Sequence, residues 1–166
     1  MTVKYLSPTS LHVWEADRER FFFRYLADRR QYDDQTNAMS VGSSFDAYVK
    51  ADLHSKLFGD SDPKFKFGAL FETQVDTHVR DFALGAGKEV FDAYVHSGSY
   101  EVLLRELVQA VEEPEFEFTL RQEICGVPLI GKPDCKYVRK DGTTVVLDWK
   151  VNGFCGKRAT SPAKYY

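Results

Sequence analysis

The sequence predicts an α+β protein in which a helical part is followed by a three-stranded antiparallel β-meander. Two observations carry this prediction. Before Pro114, apolar residues recur at the three- and four-residue spacing of amphipathic helices, and after it they alternate with polar residues as in half-buried strands. The 166 residues suit one domain with a sizeable core. We expect the helical part over about residues 1–113, the sheet over 115–151 and a loop tail over 152–166.

Capping and breaking residues mark the ends of the first two helices. Ser7 followed by Pro8 is typical of a helix start, and the apolar stripe after it runs to about Leu26. After a polar loop, a second helix is predicted to begin within residues 40–44 and to end at Gly59.

The later helices are predicted from shorter stretches. A third helix fits residues 69–84, because Gly85 and Gly87 are expected to end it. Two further helical stretches are predicted over about residues 90–95 and 100–111.

The composition argues against several classes of protein. No apolar run approaches the ~18 residues of a membrane-spanning helix. The N-terminal stretch becomes charged too soon for a signal peptide, so we expect a cytoplasmic location. The three cysteines are widely spaced and form no C-x-x-C pair, which argues against a disulfide framework and against a zinc or iron–sulfur module.

The charge is unevenly distributed along the chain. The net charge is −3, yet residues 126–166 carry eight basic and three acidic side chains. Residues 51–125 carry seven basic and fifteen acidic side chains. A positive excess at the C-terminal end suits an anionic partner such as nucleic acid.

The stretch 131–151, which we call the site hairpin, is predicted to form two strands joined by a tight turn, and its register decides what it can do. A two-residue loop at positions 141–142 would pair Asp134 with Trp149 and place Asp148 on the opposite face. No common site would then form.

A three-residue loop over positions 140–142 gives the other register. Asp134 then lies directly opposite Asp148, on the same face as Lys150. The glycine at position 142 suits this loop, because a type I turn followed by a left-handed residue closes such hairpins. The opposite face would carry an apolar set suited to packing on helices: Cys135, Tyr137, Val145, Leu147 and Trp149. We therefore favour this register.

Two facing carboxylates favour a divalent cation between them, and an all-oxygen ligand set suits Mg²⁺ or Mn²⁺ better than zinc. Such an ion activates a bound water and neutralises charge on a phosphodiester. Lys150 is placed to orient or deprotonate that water, or to neutralise the phosphate. The alternative is a surface ladder in which Lys150 only pairs with Asp134 or Asp148.

These residues resemble the PD-(D/E)xK nuclease superfamily, and within it the RecB-like and phage-type exonucleases. Pro133 and Asp134 match the "PD" element, and Asp148, Trp149 and Lys150 match the "(D/E)xK" element.

Two further matches lie near the N-terminus. Residues 6–25 are similar to the helix that opens many RecB-like nucleases. Gly42 precedes Asp46 by four residues, where those enzymes carry a glycine followed by a metal-binding histidine or acid. Here an aspartate replaces the commoner histidine.

The resemblance implies a metal-dependent phosphodiester hydrolase with a restriction-endonuclease-like core. By the same resemblance, Asp134, Asp148 and the backbone carbonyl of Trp149 bind Mg²⁺ or Mn²⁺, while Lys150 serves the attacking water. Asp46 is the further acid this implies, unless it is a plain helix-surface aspartate. Basic side chains of the hairpin and tail are candidates for contacts with nucleic-acid phosphates: Lys132, Lys136, Lys157 and Arg158.

The segment after Lys150 departs from the family's pattern. The family usually continues with a helix bearing a Q-x-x-x-Y motif and another strand, whereas residues 151–166 contain no glutamine. We therefore expect a core that lacks its C-terminal helix and strand, completed by a further segment or by a second chain.

The sequence thus predicts a DNA nuclease, with an exonuclease in recombination, repair or phage replication favoured, in a bacterial or phage-infected cytoplasm. The alternative is a nuclease-fold protein that binds nucleic acid or a partner without cutting. A third hypothesis is an unrelated structural domain with an incidental acid–lysine ladder.

Overall fold

The structure is a computed structural model that describes residues 4–152. The predicted phosphate contacts Lys157 and Arg158, and nearly all of the predicted loop tail, lie outside the described residues. The α+β class is confirmed, because a helical N-terminal part is followed by antiparallel strands. The described chain divides into two compact units, residues 4–34 with 109–148 and residues 35–108 with 149–152.

The first unit begins with helix α1, Pro8–Ala16, which starts where the sequence predicts. Ser7 caps it through a reciprocal pair of hydrogen bonds with Ser10. The main-chain N–H of Ser10 donates to Ser7 Oγ at 3.1 Å, and that of Ser7 donates to Ser10 Oγ at 2.7 Å. The pair satisfies N–H groups that a helix start otherwise leaves unbonded.

The predicted continuation of this helix to Leu26 is interrupted at Asp17. Its backbone is extended, and its side chain accepts a 2.9 Å hydrogen bond from the N–H of Arg20, which caps a second short helix, α2, Arg18–Phe21. A π-helical turn, Phe22–Leu26, comes next. The local cap competes with the helical backbone bond, as aspartate side chains commonly do.

The strands of the first unit form two small sheets, where the sequence predicted one meander. Strands β1, β4 and β5 make one antiparallel sheet, and β2 and β3 make the other. Their bounds are β1 Glu115–Phe116, β2 Leu120–Ile124, β3 Val127–Gly131, β4 Cys135–Val138 and β5 Thr144–Leu147.

Two breaks separate the sheets. Glu117 has a positive φ of 54°, which ends β1, and Pro133 has no N–H to donate to a ladder between β3 and β4. The first and second strands of the predicted meander are therefore each divided into two short strands, which pair with different neighbours.

The site hairpin adopts the predicted three-residue loop. Cys135 pairs with Leu147, and the N–H of Arg139 donates to the carbonyl of Thr143 at 2.9 Å. Gly142 has a φ of 83°, a backbone conformation that a side chain disfavours. The predicted apolar face is confirmed by burial, since Cys135 and Tyr137 are 0% and 3% exposed.

The second unit is helical. Its helices are α3 Asn37–Phe58, α4 Phe67–Gln74, α5 Arg80–His96 and α6 Ser99–Val108. Helix α3 begins earlier than predicted because Thr36 caps it, and it ends at Gly59 as predicted. The core cluster between α3, α4 and α5 contains Ala47, Leu70, Phe71, Val75, Val79 and Ala83. Within residues 4–152, no helix combines the length and apolar character that a membrane span requires.

The prediction of a third helix over residues 69–84 is wrong about both ends of the helix. The chain leaves the helix at Val75, which is extended, and a new helix, α5, then runs straight through Gly85 and Gly87. Gly87 is required by packing, because a Cβ there would lie 2.2 Å from Ser44 Oγ on α3. A glycine that permits close helix approach does not end a helix, so the breaking rule failed here.

Candidate metal and phosphodiester site

Asp134 is held by its backbone immediately before β4. Its N–H donates to the carbonyl of Leu147 on β5 at 3.0 Å, and its carbonyl accepts a 3.1 Å hydrogen bond from the N–H of Glu117. The residue is bonded on both sides although it lies outside the named strands. Its half-buried carboxylate therefore projects from a rigid point of the sheet.

Glu117 is brought to Asp134 by the pairing of β1 with β4. One carboxylate oxygen of each residue lies within 4.8 Å of the other, and both side chains are half-buried. Two carboxylates this close repel each other unless a cation or a proton lies between them. The pair therefore provides a cation-binding position within the first unit.

Sequence reasoning missed Glu117. It lies between two phenylalanines in a stretch where apolar and polar residues alternate, a pattern that indicates only the polar face of a half-buried strand. Glu117 adopts a left-handed backbone conformation, which non-glycine residues rarely adopt. This conformation carries on the order of 1–3 kcal/mol of strain. Such strain leaves no pattern in a single sequence.

Asp134 precedes Cys135, the first residue of β4, and Asp148 follows Leu147, the last residue of β5. The pairing of Cys135 with Leu147 is the register that the three-residue loop predicts, and the ladder ends at this pair, so a direct pairing of the two aspartates stays a prediction. Asp148 is exposed, and in the described part of the chain it is outside the group of carboxylates that approach within 4.8 Å. Its role as a metal ligand stays a prediction.

The two described lysines predicted to contact phosphates differ in their surroundings. Lys132 is exposed. Lys136 lies 2.5 Å from Glu115 Oε1 through its Nζ, and its ammonium is 5.5 Å from the centre of the Phe118 ring. A phosphate would have to compete with Glu115 for Lys136, so Lys132 is the more available of the two.

Asp46 lies on α3 in the second unit. Its Oδ2 is 2.7 Å from Nζ of Lys50, one helical turn onward, and accepts a 2.9 Å hydrogen bond from Nε2 of Gln74. Lys50 is only 2% exposed. A buried ammonium is strongly unfavourable without a charged partner, so Asp46 is a structural counter-charge and differs from a plain helix-surface aspartate.

Trp149 and Lys150 also belong to the second unit, where residues 149–152 line a groove of about 710 Å³ with α3 and α5. Burial raises the pKa of Tyr94, which lines that groove, and a side-chain hydrogen bond with Trp149 partly lowers this pKa again. The Trp149 side chain is therefore anchored to α5, while Lys150 is exposed. An anchored tryptophan limits the freedom of the backbone carbonyl that was predicted to bind metal.

The residues present fit a hard divalent cation. The close pair offers only carboxylate oxygens, which Mg²⁺ and Mn²⁺ prefer, and neither partner of the pair is a histidine or cysteine. The structure therefore supports an acidic site for a divalent metal ion.

Comparison with known proteins assigns the family. The family model of the PD-(D/E)XK nuclease superfamily matches residues 5–162, which includes the site hairpin and the capped first helix. No curated protein and no solved structure matched significantly. The match gives no support to the expectation that a second chain or a further segment completes the fold. Because the family model covers almost the whole chain, the chain belongs to the PD-(D/E)XK nuclease superfamily.

Proposed function

We propose that the protein is a divalent-metal-dependent nuclease that hydrolyses phosphodiester bonds in DNA. The observation that carries the proposal is the approach of the Glu117 and Asp134 carboxylates at the PD element of this superfamily. Two converging acids on a rigid sheet are the chemistry that a phosphate-cleaving metal site needs.

The proposed ligand set extends beyond this pair. Asp46 is a half-buried acid on α3 that we propose as a further ligand, because it lies four residues after Gly42, where the family carries a metal-binding histidine or acid. Asp148 and the backbone carbonyl of Trp149 are proposed to complete the coordination of Mg²⁺ or Mn²⁺. When bound, the cation lowers the pKa of a coordinated water and neutralises charge on the phosphate.

The basic residues are proposed to handle the substrate. Lys150 follows Asp148 by two positions and orients or deprotonates the attacking water, or neutralises the phosphate. Lys132, Lys136, Lys157 and Arg158 are proposed to contact the nucleic-acid backbone.

The finer assignments rest on the motifs of the sequence. We propose an exonuclease of the RecB-like or phage type, formed as one nuclease-like domain, acting in recombination, repair or phage replication in the cytoplasm. The match of residues 6–25 to the opening helix of RecB-like enzymes supports this branch.

The test is cleavage by the purified full chain with Mg²⁺ or Mn²⁺, on end-labelled and internally labelled single- and double-stranded DNA. Stepwise release of nucleotides from an end is expected, with loss of activity in EDTA and in Asp134→Ala and Glu117→Gln. Glu123→Gln is the matched control, because Glu123 is an exposed acid on β2 of the same unit. Absence of cleavage under all these conditions would falsify the proposal.

A second candidate is a nuclease-fold protein that binds nucleic acid without cutting. The observation that favours it is the exposure of Asp148, which is outside the close group of acids among the described residues. DNA binding that persists in EDTA and in Asp148→Ala, with no cleavage by the wild type, would support this candidate.

A further inference from the structure

We infer that Gln74 and Lys50 are positioning residues that orient the Asp46 carboxylate for the metal ion. The inference rests on the proposed function, because it assumes that Asp46 is a ligand. It adds two residues that neither motif of the superfamily includes.

Both residues reach the same oxygen of Asp46. Lys50 Nζ lies 2.7 Å from Oδ2, and Nε2 of Gln74 donates to Oδ2 at 2.9 Å. Lys50 and Gln74 belong to different helices and both contact this one oxygen. Rotation of the Asp46 carboxylate about its side-chain torsions would therefore break at least one of the two contacts. The direction of the whole carboxylate group is therefore set by Lys50 on α3 and Gln74 on α4.

Gln74 is itself held in place. It is the last residue of α4, and its carbonyl accepts a 3.2 Å hydrogen bond from Nε2 of Gln35. The neighbouring residues Phe71 and Val75 are core residues, 7% and 2% exposed. The side-chain amide of Gln74 therefore contacts Asp46 from the well-packed end of α4.

The other end of the Gln74 amide argues against a purely structural role. Oε1 of Gln74 is buried, and no hydrogen-bond donor reaches it among the described residues. A buried acceptor left unbonded is unfavourable, and an apolar side chain of similar size would avoid that penalty. The amide is therefore explained by the hydrogen bond that its Nε2 donates to Asp46.

Lys50 contributes a positive charge beside the Asp46 carboxylate as well as a hydrogen-bond donor. Its 2% exposure places the ammonium beside Asp46 in a region of low dielectric, where the pair interacts strongly. The lysine offsets the charge of Asp46 whether or not a cation is bound. Gln74 is the cleaner probe, because removing Lys50 both frees the carboxylate and makes the site more negative, with opposite effects on cation affinity.

The test is the affinity of the full chain for Mn²⁺, measured by electron paramagnetic resonance, together with thermal unfolding in EDTA. Gln74→Leu is expected to weaken Mn²⁺ binding about 10- to 100-fold, as removal of a ligand's hydrogen-bond partner does in other metal sites. Its unfolding temperature is expected to stay close to that of the wild type, because removal of the unbonded Oε1 offsets the loss of the hydrogen bond to Asp46. Gln122→Leu, on the exposed strand β2, is the matched control and should change neither quantity.

A double-mutant cycle separates positioning from general loosening of the fold. In an Asp46→Ala background, Gln74→Leu should have no further effect on Mn²⁺ affinity, because there is no carboxylate left to orient. Equal effects of Gln74→Leu in the two backgrounds would overturn the inference. So would unchanged Mn²⁺ affinity in the single variant.

Failure of the inference and failure of the proposed function give different results. If Asp46→Ala and the wild type bind Mn²⁺ equally, Asp46 is not a ligand and the proposed metal set is wrong. If Asp46→Ala binds weakly while Gln74→Leu matches the wild type, only the positioning role is overturned.

Discussion

The main-chain N–H of Glu117 donates a hydrogen bond to the main-chain carbonyl of Asp134 at 3.1 Å. This bond extends the β1–β4 ladder by one residue past its named ends, after which Glu117 turns into a left-handed conformation. Because the contact is between main chains, either side chain can be replaced without removing the bond that juxtaposes them. Substitutions at these positions therefore report on the carboxylates themselves.

The strain at Glu117 predicts a conflict between stability and activity. Glu117→Gly is expected to be more stable than Glu117→Ala by about 1 kcal/mol, because only glycine accepts a positive φ without a steric penalty. Both variants lose the carboxylate and should lose cleavage alike. Urea denaturation of the two variants measures the difference, and a more stable alanine variant would contradict it.

Lys50→Met tests the buried ion pair. Removing the ammonium leaves the half-buried Asp46 charge without this counter-charge, which is expected to destabilise the protein by roughly 3 kcal/mol in EDTA. Saturating Mn²⁺ should restore part of this stability, since a cation replaces the lost charge. The free energy of unfolding with and without Mn²⁺ measures both effects, and an equal loss in the two conditions would argue against a cation near Asp46.

Two glycines of α5 make a matched pair for packing. Gly87→Ala is expected to destabilise the protein by about 1–3 kcal/mol, because its Cβ would lie 2.2 Å from Ser44 Oγ. Gly85→Ala has nothing within 4 Å of the new Cβ and should stabilise the helix by up to about 1 kcal/mol. Thermal unfolding of both variants checks the prediction, which fails if the two shift in the same direction.

The turn of the site hairpin predicts an acid dependence. The N–H of Thr143 donates to Asp141 Oδ1 at 2.9 Å, and this hydrogen bond lowers the pKa of the Asp141 carboxyl. A lowered pKa means that the contribution to stability is present above the ordinary aspartate pKa and is lost as the pH falls through the folded value. Compared with the wild type, Asp141→Ala should therefore lose less stability between about pH 5 and about pH 2.

Unfolding of the two proteins across that range measures the difference. Asp60→Ala, at an exposed position after α3, is the control for a general charge effect. Identical slopes for the wild type and Asp141→Ala would contradict the assignment.

The hairpin register was predictable because its determinants are local. The left-handed glycine at position 142 and the alternation of Cys135 and Tyr137 with polar neighbours both lie within a few residues of the turn. A slip of one residue would expose the buried face, so local pattern and burial agree on one register. The cap at Ser7 and the helix end at Gly59 are local in the same sense.

The partner of Asp134 was not predictable. Glu117 reaches it through a strand pairing distant in the chain and through a backbone conformation that glutamate rarely adopts. The position of Asp46 and Lys50 one turn apart was visible, whereas the nearly complete burial of Lys50 and the amide of Gln74 became visible only with the packing of α3 and α4.

The sequence by itself determined the α+β class, the capped first helix, the register of the site hairpin and the resemblance to the superfamily that the chain belongs to. Tertiary structure decided that the Glu117 and Asp134 carboxylates lie close together and that Gly87 lies inside a helix. It also decided which residues contact the Asp46 carboxylate. The physical reason is the separation of the interacting residues along the sequence. Hydrogen bonds of turns and caps join residues that are close in sequence, whereas the pair of carboxylates and the close approach of two helices depend on contacts between distant segments.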